Sequence, residues 1–213
     1  LSDVGPQIYT LDCTGPTEIL RQEDGYPTFT EATFAKYAPV HGKSYAVVDA
    51  HGFHVVDLET KQIICSVSRP GIVGTQWSAK ETYLITCEKM NLKEEFTGAN
   101  GNLNLWNATT GEHVKSFEFR NTPKDLPKTI GFDADEKFCA RQVNKNVIEI
   151  YEGNNLTEQK FSIKSKLPPL PKVDGQPQED NRVDNSKFDG FLFCPMPAET
   201  KGSTNAPYYF MAW

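Results

Sequence analysis

The sequence has no Cys-x-x-Cys pair, and its five cysteines, Cys13, Cys65, Cys87, Cys139 and Cys194, stand singly. An odd, scattered set makes neither a disulfide framework nor a zinc site. Cys65, Cys87 and Cys139 lie in apolar, strand-like runs, where a thiol behaves as a small buried hydrophobe. No stretch approaches the roughly 20 apolar residues of a membrane span. The segment from Leu1 to Thr10 has neither the basic head nor the apolar core of a secretory signal. These absences predict a cytoplasmic protein with no membrane partner. Basic charge is also short, with 22 Lys plus Arg against 28 Asp plus Glu and a formal net charge of −6. Such a surface cannot be an electrostatic sleeve for nucleic acid and leaves room only for a local basic patch. Met is missing at position 1, and the chain ends in the apolar run Tyr208 to Trp213, so a chain cut at one or both ends is expected.

The motifs of catalysis are missing too. There is no Gly-x-Ser-x-Gly elbow, His-Glu-x-x-His helix, Walker loop or dinucleotide fingerprint, and the expectation is a non-enzyme with no cofactor. His51 and His54 flank a turn with His41 nearby, but no Cys, Asp or Glu joins them at ligand spacing, so turn and strand-surface histidines are expected, not a metal site. Gly71-Ile72-Val73-Gly74 is similar to an RNA-clamping Gly-x-x-Gly loop, which needs flanking helices; strands flank it here, and it reads as a turn. The pairs Glu94-Glu95 and Glu179-Asp180 sit in polar loops, unlike the opposed and partly desolvated carboxyls of a glycosidase. The sequons at Asn107 and Asn155 fall in hairpin turns, where Asn serves backbone geometry.

No window sustains a 3.6-residue apolar repeat for three turns. What is present between Phe34 and Tyr151 is a series of short runs rich in Val, Ile, Tyr, Phe and Thr, punctuated by Gly, Asn, Asp, Thr and Pro. The class is all-β. Ser44 to Asp49, Phe53 to Asp57 and Gln62 to Val67 are joined so tightly that only antiparallel hairpins can link them.

The unit recurs. Tyr37-Ala38-Pro39 precedes the strand Ser44 to Val48, Trp77-Ser78-Ala79 precedes Thr82 to Thr86, and Phe132-Asp133-Ala134 precedes Lys137 to Ala140. Each copy continues with a third strand (His54 to Leu58, Leu103 to Asn107, Val147 to Tyr151) and a fourth (Ile63 to Val67, Val114 to Phe119, Gln159 to Ile163). The aromatic markers stand 40 and 55 residues apart, near the roughly 40 to 45 residue period of propeller blades once the loop Glu88 to Gly101 is counted as an insertion. This pattern predicts a β-propeller with WD40-like blades of four antiparallel strands; a β-sandwich of two sheets is the competing architecture. The third strand Leu105-Trp106-Asn107 approaches a Trp-Asp ending. The expected blades cover about 1–33, 34–68, 69–119, 120–165 and 188–213, in one propeller region over 1–213. A Pro-rich, acidic loop at 166–187, carrying Pro168, Pro169, Pro171 and Pro177, reads as a surface excursion. Three near-whole blades and two partial ones are few for a closed ring, so the chain is expected to be an incomplete, N-terminal part of a larger propeller.

From Arg120 to Lys145 there are six basic residues (Arg120, Lys124, Lys128, Lys137, Arg141, Lys145) against four acidic ones (Asp125, Asp133, Asp135, Glu136). Arg120, Lys124, Lys128, Arg141 and Lys145 are the candidate partner-binding residues, either as a small phosphate-contacting face or as mixed solvated surface.

The run Asn102-Leu103-Asn104-Leu105-Trp106-Asn107-Ala108-Thr109-Thr110-Gly111-Glu112-His113-Val114-Lys115-Ser116-Phe117, followed by Asp135-Glu136-Lys137-Phe138-Cys139-Ala140-Arg141-Gln142-Val143-Asn144, resembles the N-terminal WD-repeat β-propeller of the eukaryotic translation initiation factor 2A family. The resemblance covers most of Tyr37 to Ile163. Phe132 stands where the family commonly has Trp, and the 166–187 excursion is foreign to it. The resemblance implies a cytoplasmic, non-enzymatic scaffold that binds the small ribosomal subunit, both ribosomal proteins and rRNA. It would support GTP-independent delivery of initiator methionyl-tRNA beside other initiation factors. The tRNA contacts would come from a basic C-terminal region absent from this sequence. A generic WD-repeat interaction scaffold, such as the propeller subunit of initiation factor 3, is the alternative; an accessory propeller of a hydrolase is a further one.

Overall fold

The computed structural model describes residues 7–12, 19–89, 101–119, 126–165, 187–194 and 210–213. Among the described residues the strands form five antiparallel sheets, two with two strands and three with four. A single helical turn, α1 (Leu126–Thr129), is the exception to strand. The chain divides into two compact units, Leu1–Lys124 and Asp125–Trp213.

The first unit opens with β1 (Tyr9–Asp12) paired to β2 (Ile19–Gln22). A four-stranded sheet follows in chain order: β3 (Phe34–Tyr37), β4 (Ser44–Val48), β5 (Gly52–Asp57) and β6 (Ile63–Ser68). A second repeats it with β7 (Ile72–Trp77), β8 (Tyr83–Glu88), β9 (Leu103–Asn107) and β10 (His113–Phe117). The second unit has a third copy, β11 (Ile130–Phe132), β12 (Phe138–Asn144), β13 (Val147–Glu152) and β14 (Asn155–Lys164). It closes with β15 (Phe191–Phe193) paired to β16 (Phe210–Ala212).

Short polar residues at the strand ends fold these meanders. Asp49 Oδ1 accepts the N–H groups of His51 and Gly52 at 2.8 and 2.9 Å, turning β4 into β5. Between β5 and β6, Asp57 Oδ1 accepts from Glu59 and Thr60; between β9 and β10, Asn107 Oδ1 does the same for Thr109 and Thr110. This side-chain mimicry of a backbone turn is what Asp and Asn are selected for. The following residue is left-handed in both hairpins, Lys61 at φ 60° and Gly111 at φ 73°, a conformation only glycine adopts without strain. The turns between first and second strands also repeat. Ala38, Ser78 and Asp133 each donate their N–H to the carbonyl of the second strand's opening residue, Ser44, Tyr83 and Phe138 respectively. Ser78 Oγ and Asp133 Oδ1 accept the return bond at 2.8 and 2.7 Å.

Tyr37, Trp77 and Phe132, read from sequence as markers ahead of a turn, prove to be the last residues of first strands. Gly71-Ile72-Val73-Gly74 is likewise only half a turn. Gly71 lies at φ 81°, but Ile72 already begins β7, and the register slips between Ile72 and Gly74.

Burial separates the propeller from the sandwich. A strand in a two-layer sandwich hides alternate residues, whereas Tyr45 to Val48, Leu84 to Glu88 and Leu103 to Trp106 are buried at every consecutive position. Sheets covered on both faces read this way. Their neighbours can be named within each unit. Ala46, Val48, Phe53, Val55 and Cys65 of the β3–β6 sheet pack with Ile72, Trp77, Leu84 and Trp106 of the β7–β10 sheet. The other face of the β3–β6 sheet, through Tyr45, Val47 and Val56, meets Phe29 and Ile8. In the second unit Ala140, Ile148 and Ile150 pack on Phe191, Phe193 and Phe210. Full burial is worth roughly 2 kcal/mol for each of Leu84, Leu103 and Leu105. The outer strands are more solvated: β6 and β14 are largely exposed, and β10 is exposed at His113 and Val114. The fold is therefore all-β and built of β-propeller blades.

Candidate functional site

Consecutive sheets of the first unit are stitched by polar contacts between their first strands, β3 and β7. Trp77 Nε1 donates to the carbonyl of Lys36 at 3.2 Å, and Lys36 Nζ donates to the carbonyl of Thr75 at 3.1 Å. Such contacts fix a scaffold; they leave no reactive group exposed.

The densest polar cluster lies within the β7–β10 sheet. Glu88 ends β8, and its carboxylate accepts from Thr86 Oγ at 2.7 Å, Asn104 Nδ2 at 2.5 Å and Arg69 Nη2 at 3.3 Å. Trp106 Nε1 donates to Thr86 Oγ at 2.9 Å. On the far side of Asn104, its Oδ1 accepts from Ser116, whose Oγ also lies 2.9 Å from His113 Nε2. Asn104 and Thr86 are wholly buried, Ser116 and Glu88 nearly so. Burial pushes the Glu88 carboxyl above its ordinary range in spite of Arg69 and its other donors. Burial, with the Arg69 charge nearby, holds the His113 imidazole below its ordinary 6.5. The serine, histidine and carboxylate are thus neighbours, but Ser116 is shielded and spends its proton on Asn104. A nucleophile needs access and a base free to take its proton, so this arrangement is a structural polar core.

His54 is held by Asp49 Oδ2 at 2.9 Å and Ser66 Oγ at 2.8 Å, a strand-surface histidine with its ring nitrogens engaged. No group of three or more His, Cys, Asp or Glu among the described residues could hold a metal ion. Among those residues, no helix is long and apolar enough to cross a membrane. Cys65, Cys87 and Cys139 are buried free thiols and Cys194 is partly buried. Cys13, the carboxylates Glu94, Glu95, Glu179 and Asp180, and the excursion from 166 to 186 lie outside the described residues.

The candidate cationic residues part company. Arg120 and Lys124 lie outside the described residues. Arg141 sits on β12 directly opposite Glu149 of β13, and its Nη2 bonds Glu149 Oε2 at 2.8 Å with the side chain only 10% exposed. Its charge is spent inside the sheet, and burial of such a cation is tolerated because it is paired. Tyr151 donates to the same carboxylate oxygen at 2.6 Å. Lys128, on α1, and Lys145, at the β12–β13 turn, are exposed.

Strand direction brings Lys128 and Lys145 together with two lysines that the sequence did not single out. In the β11–β14 sheet, β11 starts, β12 ends, β13 starts and β14 ends at one edge; Ile130 faces Arg141, and Val147 faces Lys164. Lys128 lies two residues before the start of β11, Lys145 follows β12, and Lys164 closes β14. Phe188 donates its N–H to the Lys145 carbonyl and accepts from Gln142, which brings Lys187 to the same end. All four lysines are exposed. The opposite end gathers Asp133, Asp135, Glu136, Glu152 and Glu158 around Lys137 and Lys160, with Lys160 ion-paired to Glu152. The sheet carries positive charge at one end and negative at the other.

No known family profile matches the chain. Among solved structures, the chain is similar to a eukaryotic initiation factor at 21% identity, covering 91% of this chain and 44% of that one with a TM-score of 0.59. It is also similar to the C-terminal WD40 domain of Sif2 (14% identity, 73% and 41% covered, TM-score 0.47). A third neighbour is the Cps50 (Swd1) β-propeller domain of Myceliophteria thermophila (14%, 76% and 55%, 0.42). The chain thus spans less than half the length of the initiation factor it resembles.

Proposed function

We propose that this chain is the propeller of a cytoplasmic, non-enzymatic translation initiation factor of the 2A type. It acts as a scaffold on the small ribosomal subunit and supports GTP-independent delivery of initiator methionyl-tRNA, with the tRNA held by a further, basic region of the factor. The observation that carries this reading is the run Asn102 to Phe117 with Asp135 to Asn144, which resembles that family in order and spacing. In the fold these segments are the β9–β10 hairpin and strand β12 with its preceding turn. Likeness of fold to an initiation factor supports the same reading. Scaffold function agrees with a surface that offers loops and sheet ends and encloses its polar cluster. An acidic chain of net charge −6 is also better matched to basic ribosomal proteins than to bare RNA over most of its surface.

The test is co-sedimentation with purified small subunits through a sucrose cushion at rising salt. The chain is expected in the pellet at low salt and released as salt rises; recovery in the supernatant at every salt concentration overturns the ribosomal assignment. A generic interaction scaffold or the accessory domain of a hydrolase would give that second result.

A further inference from the structure

We infer that the lysine-bearing end of the β11–β14 sheet, with Trp213 beside it, is a docking surface for single-stranded RNA. Lys128, Lys145, Lys164 and Lys187 reach that end from four separate chain segments. Neither Lys145 nor Lys164 meets a carboxylate among the described residues, and Lys187 shares only the exposed Asp189 at 3.6 Å. With strands about 4.8 Å apart, a four-stranded sheet end is about 14 Å wide, room for several consecutive phosphates. Concentrating acidic residues at the far end turns a mildly negative sheet into one that orients an approaching polyanion.

Two features favour RNA over an acidic protein. The first is the kind of charge on offer, ammonium groups that serve as point donors to phosphate, with the arginine of this sheet, Arg141, turned inward onto Glu149. The second is an aromatic ring beside Lys128. A Cβ on Gly190 would meet the Trp213 indole at 3.1 Å and the Lys128 stem at 3.3 Å, and Trp213 is 47% exposed. Cations flanking an exposed indole can hold backbone and stack an unpaired base together. The choice of RNA over DNA rests on the ribosomal reading above; the phosphate surface does not.

The experiment is fluorescence anisotropy of a labelled 20-nucleotide oligouridylate with the full chain, beside labelled poly-L-glutamate. Four lysine contacts give a slope of log affinity against log salt near −3, a loss of roughly 50-fold between 50 and 200 mM salt. Lys145→Glu with Lys164→Glu is expected to flatten that slope by about 1.4, and Trp213→Ala to weaken oligouridylate at least about fivefold. A charge-matched control, Lys43→Glu with Lys80→Glu on the first unit, is expected to leave binding close to wild type. All the substituted lysines are exposed, and urea midpoints verify that each variant folds. Equal loss in test and control variants, an unchanged slope, or retention of poly-L-glutamate without oligouridylate overturns the proposal. Oligouridylate binding through these lysines without co-sedimentation removes the ribosomal assignment and leaves this surface standing.

Discussion

At the scale of single residues, the β7–β10 sheet holds two titratable groups whose signs oppose each other, Glu88 buried and His113 at the exposed start of β10. Glu88 has its folded pKa raised, so its ionisation works against the fold: its contribution is whole below 4.5 and drains away as pH climbs through the raised value. His113 has its folded pKa lowered, so its protonation works against the fold: stability is whole above 6.5 and declines as pH falls from there toward the lowered value. As pH changes, each group therefore moves stability the opposite way. Urea midpoints at pH 5.5 and 7.0 isolate the histidine when His113→Gln is compared with wild type. The variant is expected to lose the part of the acid-side decline that His113 contributes; an identical pH dependence in the two proteins would show that its protonation is not linked to folding. Arg69, which bonds Glu88 at 3.3 Å and the Gly101 carbonyl at 2.8 Å, sits next to this pair, so a change there disturbs both windows together.

At the scale of elements, blades repeat because their turns do, and the turns leave some positions no room. Gly153, between β13 and β14, lies so close to the Glu136 carbonyl of the neighbouring turn that any Cβ would collide with backbone. Gly52 has the same relation to the Val67 carbonyl. Gly153→Ala is expected to cost about 2 kcal/mol or more, since backbone cannot give way as a flexible side chain can. Urea unfolding measures it, with Gly42→Ala as the contrast, because a Cβ there meets nothing within 4 Å and only its φ of 62° is strained. Second and third strands were readable because each is a run rich in β-branched and aromatic residues, and β4, β5, β9, β12 and β13 are ended by Asp, Asn or Gly. First strands were not. Ile72-Val73-Gly74 and Ile130-Gly131-Phe132 each carry a glycine, which reads as a turn, and β11 has only three residues. Their pairing is dictated by the neighbouring strand, a tertiary fact that local pattern does not encode.

At the scale of the whole molecule, the propeller was legible from the recurrence of one unit, and continuous burial along β4, β8 and β9 explains why a sandwich fails. The candidate surface was only half legible. Lys128 and Lys145 could be named from charge alone, but Lys164 and Lys187 join them only once the register of β13 with β14 and the bond from Phe188 to Lys145 are known. Arg141 was not legible either: a tight turn at Lys145 and Asn146 pairs 144 with 147 and, by counting alone, 141 with Ile150, and only the register slip between Gln142 and Asn144 brings 141 opposite Glu149. Each complete blade also contains one concealed sulfur: Cys65 on β6, Cys87 on β8 and Cys139 on β12. Burial lifts all three thiols, Cys87 to about 12, so none is a ready nucleophile while its sheet is closed. The protein therefore carries a separate clock for the opening of each blade. Brief iodoacetamide exposure in graded urea, with the alkylated peptides weighed by mass spectrometry, is expected to mark Cys194 first and then to report whether the three blades come apart together or one by one.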